Sequence, residues 1–377
     1  MPNSTALWRP ANLAYCSRGW LLEKARIWLG RRASDEERKR RYESYLRETL
    51  LERAGLWPRR IEILPRYTNP IVCRLECEDR AGRRVDAVAR CFERHMGKEK
   101  SREHATVSLL LSEHGIDVPR LFDCDDTRLT LGRYQFESVV EECVDGRHPD
   151  LDDFRAGGGR RLAELAELLA RLHSIAGAEP GRPWRSRHAG KDFIEVHYYR
   201  QEERAFERIE AAQDFFAPEY EKRWLKEHLA RTRDCIRCPG PYSLVHADLT
   251  TSNMMLRDGG EGPIALIDFG TVRYDLWPWD FVFFCRVYLR EKPEMASRLL
   301  REYFARRPEA DRDFFRLAWN YLHPWYHLSK VSASLRKLSR KGEDDLSARQ
   351  REQLRQHAEA NWALAVRAIE EPDLPIG

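Results

Sequence analysis

The sequence predicts an α+β fold, in which a small antiparallel sheet with one helix packed across it precedes a larger, mainly helical part. Two observations carry this. From residue 60 the stretch RIEILPRYTNPIVCRLECEDRAGRRVDAVARCF alternates apolar and polar residues and is rich in β-branched side chains, the period of strands. After Gly146 the apolar residues recur at helical spacing, as in RRLAELAELLARLHSIAG, where Leu162, Leu165, Leu169 and Leu172 share a face. A chain of 377 residues can bury a core in each part.

Taken in order, residues 15–55 read as two helices. GWLLEKARIWL puts Trp20, Leu21, Ala25, Trp28 and Leu29 near one stripe. SDEERKRRYESYLRETLLERAG opens on Ser34 as an N-cap with Glu37 completing a capping box, and Gly55 closes it. This segment carries Arg31, Arg32, Arg38, Lys39, Arg40 and Arg41. It is expected to dock on the main body, and the competing reading is a weak membrane-surface contact through residues 15–55. Hairpin strands follow, turning at DRAGRR. Next comes a helix, SREHATVSLLLSEHG, with Glu103, Val107, Leu110, Leu111 and His114 on one face and Gly115 as its stop. TLGRYQFESVVEECVDG reads as two further strands, and APEYEKRWLKEHLARTRD as another helix. NMMLRDGGEGPIALIDF is a short hairpin with a glycine-rich reversal, and residues 281–370 return to helices rich in Trp and Tyr. The expected division is 1–58 as a helical extension, 59–141 as a sheet-bearing part, and 142–377 as the helical part.

Composition narrows the class. Hydrophobic content of 42% and charged content of 33% describe an ordinary soluble protein, and no apolar run approaches the roughly 20 residues that span a bilayer. MPNSTALWRPANLAYCSRGW lacks the apolar core of a secretion signal. Nine cysteines fit free thiols in a reducing compartment, so a cytoplasmic location is expected. Cys235 and Cys238 form a CxxC pair, but a zinc site would need two more ligands, and Cys73 and Cys77 are expected on a distant strand. The formal charge of +4 is spread among acidic residues, which argues against nucleic-acid binding.

The chemistry concentrates in LVHADLTTSNMML and IALIDFG. His246, Asp248 and Asn253 place a carboxylate and an amide on a loop before the short hairpin, and Asp268 ends its second strand. Phosphoryl transfer from ATP needs cations for the phosphates, oxygen ligands for Mg²⁺, and an acceptor for the incoming hydroxyl's proton. Asp248 suits the last role, and Asn253 and Asp268 suit the metal.

HADLTTSN, IDFG, the helix ELLARLHSI and the pattern SLLLSEHGIDVPRLF resemble the aminoglycoside phosphotransferase and choline kinase family, over roughly residues 60 to 330. The resemblance implies a two-lobed protein-kinase-like fold with ATP bound between the lobes. It makes 59–141 the nucleotide-binding N-lobe and 142–377 the C-lobe with catalytic loop and acceptor site. By position, Asp248 would be the catalytic base, and Asn253 and Asp268 the Mg²⁺ ligands. Glu103 would steady the phosphate-binding cation, backbone atoms around Glu142 and Cys143 would meet adenine, and Asp280 and His246 would brace the catalytic loop. Two departures stand out. Arg90 occupies the strand position where many kinases carry lysine, and is expected to pair with Glu103 and reach ATP, with Lys98 and Lys100 as substitutes. No glycine-rich loop follows the first strand, so Thr68 and Asn69 would supply polar contacts there.

The expected acceptor is a small hydroxylated molecule such as an aminoglycoside, a choline-like alcohol or a sugar. Asp150, Asp152, Asp153, Glu195, Glu202 and Glu203, with Tyr198 and Tyr199, could wall a site for a cationic alcohol, or could be exposed helix charges. Trp277, Trp279, Trp319 and Trp325 read as core. Two alternatives remain beside this one: a kinase of a lipid-linked sugar at a membrane surface, and a nucleotide-binding pseudokinase scaffold.

Overall fold

The structure is a computed structural model describing residues 35–64, 71–93, 100–125, 136–155, 159–177, 179–183, 192–212, 215, 217–237, 241–287, 289, 292–339 and 347–370. Thr68, Asn69, Lys98, Cys238 and the expected helix at 15–29 lie outside them. The chain divides into two compact units. One runs up to Arg147 and takes in Met255–Gly270, and the other comprises His148–Met254 and Thr271–Gly377.

In the first unit, helix α1 (Asp35–Ala54) leads into strands β1 (Leu56–Ile63), β2 (Ile71–Asp79) and β3 (Arg84–Glu93), then helix α2 (Lys100–Glu113), β4 (Leu121–Asp125) and β5 (Phe136–Glu142). The sheet is antiparallel in the order β1-β2-β3-β5-β4. Its inward alternation buries Cys73, Leu75, Cys77, Ala87, Ala89, Cys91 and Val140, and α1 seats Tyr42, Tyr45, Leu46 and Leu50 in the same cluster. Those four positions fall on one helical stripe, which is why a segment so rich in arginine still has a face to dock. Tyr45 donates its hydroxyl to Asp125, and Tyr42 lies 3.1 Å from the Ser138 hydroxyl, so the docked face also carries polar pairs. Gly55 closes α1 at φ 68°, where a Cβ is disfavoured. The DRAGRR reversal is held by Asp79, whose Oδ1 accepts from the Ala81 and Arg83 amides.

Two expectations needed correction here. Strand β4 is not among the expected elements, because LFDCD carries two aspartates that mask its strand character, while the first of the two strands expected in TLGRYQFESVVEECVDG falls largely at 130–135, outside the described residues. The buried face of α2 includes Ser101, His104, Ala105 and Ser108 as well as Glu103, Val107 and Leu111, whereas His114 is exposed.

The short hairpin belongs to this unit. Strands β9 (Met254–Arg257) and β10 (Ile264–Leu266) form a three-stranded sheet with β6 (Gly146–Arg147). A Cβ on Gly146 would stand 2.0 Å from the Leu256 carbonyl oxygen, so the approach of β6 to β9 requires glycine. Arg257 fastens the hairpin, binding Asp117 through Nε at 2.7 Å and Nη2 at 2.9 Å, and Glu142 through Nη1 at 2.7 Å.

The second unit is mainly helical. It contains α3 (Leu151–Arg155), α4 (Arg160–Ser174), α5 (Arg200–Ala211), α6 (Glu219–Thr232), α7 (Pro278–Val287), α8 (Pro293–Phe304), α9 (Glu309–Leu338) and α10 (Ala348–Glu370). A small sheet orders β7 (Ala176–Gly177) and β11 (Arg273–Asp275) on either side of β8 (Tyr242–Val245). The amphipathic reading of α4 holds, with Leu162, Leu165, Leu169 and Leu172 all buried. Trp277, Trp319 and Trp325 are core, with Trp277 packed on Phe281, Tyr303 and Phe315 and Trp319 on Phe315, whereas Trp279, also expected in the core, is half-buried. No helix among the described residues is long and apolar enough to cross a membrane.

Candidate active site

In the second unit the loop after β8 carries His246, Asp248 and Asn253. Asp280, at the start of α7, is fully buried and clasps this loop, accepting from the His246 amide (Oδ2, 2.8 Å) and the Ala247 amide (Oδ1, 2.7 Å). The His173 ring, from α4, stands 3.2 Å from Asp280 Oδ2. Burial opposes the charge on Asp280, but His173, His246 and the amides prevail and hold the carboxyl below its ordinary value. Thr271 adds a further tie, donating to the His246 carbonyl at 2.8 Å. Between these anchors Ala247 adopts φ 62°, a left-handed conformation that a non-glycine residue holds only where its surroundings over-determine it. The strained residue directly precedes Asp248. His246 is itself wholly buried.

Asn253 follows in the same loop. Its Nδ2 donates to the Asp248 carbonyl at 2.8 Å and to Asp248 Oδ2 at 3.2 Å. The amide nitrogen is thereby committed, which leaves the amide oxygen as the group Asn253 can turn to a cation.

In the first unit Asp268 follows β10 and shares the left-handed conformation, at φ 62°. Next to it Phe269 is buried against the His104 ring, centroids 5.1 Å apart. Arg90 does not pair with Glu103 as expected. Its Nε donates to Glu141 Oε1 at 2.8 Å, while Glu103 Oε2 meets Lys100 Nζ at 2.9 Å. Register explains the difference: Arg90 is opposite Val139, so Glu141, two residues on, is its diagonal neighbour on the same sheet face. Lys100 and Glu103 are one turn apart on α2. The second oxygen of Glu141 lies 2.7 Å from His104 Nε2. Burial works against charge on Glu141, yet His104 and Arg90 outweigh it and hold the carboxyl at about 2. Arg90 also feels the Asp268 carboxylate. A half-buried cation, two carboxylates and an imidazole are thus collected in this unit.

Part of the backbone expected to meet adenine is already hydrogen-bonded within the sheet. The Glu142 amide donates to the Arg120 carbonyl at 2.8 Å and the Cys143 amide to the Asp86 carbonyl at 3.0 Å, so both donors are spent in the sheet. The Glu142 side chain is held by Arg257.

Sequence reasoning missed Glu141 and His104. The stripe Ser101–His104–Ser108–Leu111 was the available signal for His104. Glu141 had none until the register of β3 on β5 was known. The acidic wall for a cationic acceptor is not assembled. Asp150 Oδ1 caps the Asp152 and Asp153 amides of α3, Asp152 meets Arg155, and Glu202 is buried between Arg233 and Tyr321. Glu195 lies 3.6 Å from Arg200, and Glu203 is exposed. Tyr198 and Tyr199 are also core, donating to Asp275 Oδ1 at 2.7 Å and to the Arg233 carbonyl at 2.9 Å.

Comparison with known proteins defines the class. The architecture is the protein-kinase-like fold. Residues 76–318 match the model of the phosphotransferase enzyme family, and the chain belongs to that family. Among solved structures it is similar to an ADP-bound aminoglycoside phosphotransferase, APH(2'')-Ib, at 12% identity and TM-score 0.56, covering 89% of this chain and 99% of that one. An ethanolamine kinase of Plasmodium vivax matches at 14% identity and TM-score 0.53, covering 85% of this chain and 84% of that one. An amicoumacin kinase in complex with AMP-PNP, Ca²⁺ and Ami matches at 15% identity and TM-score 0.55, covering 91% of this chain and 98% of that one. At such identities these likenesses establish the fold. No curated protein matches by sequence.

Proposed function

We propose that the chain is an ATP- and Mg²⁺-dependent kinase of a small hydroxylated molecule, with Asp248 as the base. The observation that carries this is the construction of the loop, where Asp280 holds the His246 and Ala247 amides and Asn253 holds the carbonyl and carboxylate of Asp248, just past the left-handed Ala247. Such fixing costs conformational freedom and suits a group that must meet a substrate hydroxyl at hydrogen-bond distance. In the proposed reaction the acceptor oxygen forms a bond to the γ-phosphorus as the bond to the β–γ bridging oxygen breaks. ADP leaves with that electron pair, and the hydroxyl proton passes to Asp248.

The donor set fits Mg²⁺. Asn253 and Asp268 offer an amide oxygen and a carboxylate, the hard oxygen ligands that Mg²⁺ takes alongside nucleotide phosphates. Bound there, the ion would neutralise charge on the transferring phosphate. Arg90, held by Glu141, is the cation for the phosphates, with Lys100 and Glu103 as a second paired cation at the start of α2. For adenine, the contact is the backbone around Glu142 and Cys143, through groups other than those two amides. Nucleotide contacts come from residues 59–141 and the adjoining Glu142 and Cys143, and the acceptor is held by the helical part. The described cysteines are free thiols, which supports a cytoplasmic setting.

Asp248→Ala tests this reading. Transfer to a cognate acceptor should fall by roughly 10² to 10⁴-fold while ATP affinity is retained. Full activity in the variant would refute Asp248 as base.

A further inference from the structure

The helical unit contains a cation that the reading above does not use. Lys330, on α9, is half-buried, and among the described residues its ammonium has no hydrogen bond or ion pair. It lies instead over two rings, 5.4 Å from the centroid of Phe283 and 5.0 Å from that of Tyr326. Trp279 borders the same group, its ring centroid 5.9 Å from that of Tyr326. Aromatic faces hold a cation in place without neutralising its charge towards a ligand. Phe283 stands one turn beyond Asp280 on α7, and Asp280 clasps the loop that carries Asp248, so the Lys330 ammonium lies beside that loop and feels the Asp248 charge. Burial lowers the ammonium's pKa, Asp248 opposes this, and Lys337 adds to it.

More positive charge lies beyond. Lys337 is seven residues from Lys330 on α9, two turns along the same stripe. Arg208 of α5 donates to Ser332 Oγ and feels both Arg204 and Arg336. Of the acidic side chains expected to receive a cationic alcohol, Asp152, Glu195 and Glu202 are paired with arginines and Asp150 caps α3. The group next to the base is therefore positive, and a polyamine would meet like charge there.

We propose that Lys330 is a specificity-determining residue that binds an acidic group, carboxylate or phosphate, on the acceptor whose hydroxyl is presented to Asp248. The acceptor is then an anionic hydroxylated compound, not a polycation. This rests on Asp248 being the base of a kinase, and the test separates the two ideas.

The full-length protein is treated with pyridoxal 5′-phosphate and, in parallel, with uncharged pyridoxal. Each adduct is reduced with borohydride and mapped by peptide mass spectrometry. Lys222, already paired with Glu219, is the internal reference. Lys330 should be modified about tenfold faster by the phosphorylated aldehyde, a preference that roughly 1.4 kcal/mol of attraction produces, and Lys222 should show none. Mg²⁺–ATP should leave the labelling of Lys330 in place. Equal rates with the two aldehydes at Lys330 would overturn the proposal. Loss of labelling under Mg²⁺–ATP alone would also overturn it, by assigning Lys330 to the nucleotide. Rates with D-gluconate, D-glucose and D-glucosamine supply a second reading. Preference for gluconate that Lys330→Glu reverses and Lys330→Arg retains supports the assignment, and preference for glucosamine in the wild type contradicts it. Failure of the wild type to bind Mg²⁺–ATP would count against the kinase reading itself.

Discussion

Glu141 shows how one buried carboxylate can organise a site. It is 3% exposed and is shared between Arg90 and His104, and those partners hold its carboxyl at about 2 against an ordinary 4.5. A depressed carboxyl stabilises the fold above its unfolded value and loses that contribution as pH falls through the folded one. The contribution of Glu141 is therefore complete above about pH 4.5 and disappears towards pH 2, and its size is about 3 kcal/mol. In Glu141→Gln the decline of the urea midpoint through this window should be shallower than in the wild type. An identical acid limb in the two proteins would show that Glu141 is not charged in the fold. Asp280 acts at the same scale in the other unit. Asp280→Asn keeps the shape but removes the charge and one of the two acceptor oxygens facing the loop amides. The expected result is a fall in kcat of about 10²-fold from misplacement of Asp248, with nucleotide affinity little changed. Equal losses in kcat and ATP affinity would mean the clasp serves the whole fold and not the loop.

Elements were legible where their period was strong. The stripe of α4, the DRAGRR reversal, the Gly55 stop and the hairpin of β9 and β10 could all be read from the chain, because each depends on residues close in sequence. What escaped depended on pairing over distance. Glu141 meets Arg90 only through the register of β3 against β5, and β4 was hidden by its two aspartates. The amides of Glu142 and Cys143 are spent because Arg120 and Asp86 carry carbonyls to them, which no local pattern encodes. Helix α1 shows both sides of this. Its length and stop were readable, whereas its seat on the sheet follows from Leu50, Leu46, Tyr45 and Tyr42 meeting Leu75 and Cys91. Leu50→Ala should cost about 2–5 kcal/mol, read as a lowered urea midpoint. An unchanged midpoint would mean that α1 contributes nothing to the core.

At the scale of the whole molecule, the central claim is that the chain assembles a metal-dependent nucleotide site. The family and the fold establish a phosphotransferase. The motif residues sit on strained, anchored backbone, as groups that must be held in place do: Ala247 and Asp268 both have φ 62°. The departure at Arg90 is accommodated locally, since the register of β3 on β5 gives its guanidinium Glu141 as partner instead of Glu103. The most direct test is ATP binding by calorimetry, with and without Mg²⁺, on the wild type and on Asp268→Ala. The account predicts binding that Mg²⁺ strengthens in the wild type and a loss of that metal dependence in the variant. Absence of ATP binding in every condition, or an unaltered metal dependence in Asp268→Ala, would contradict it.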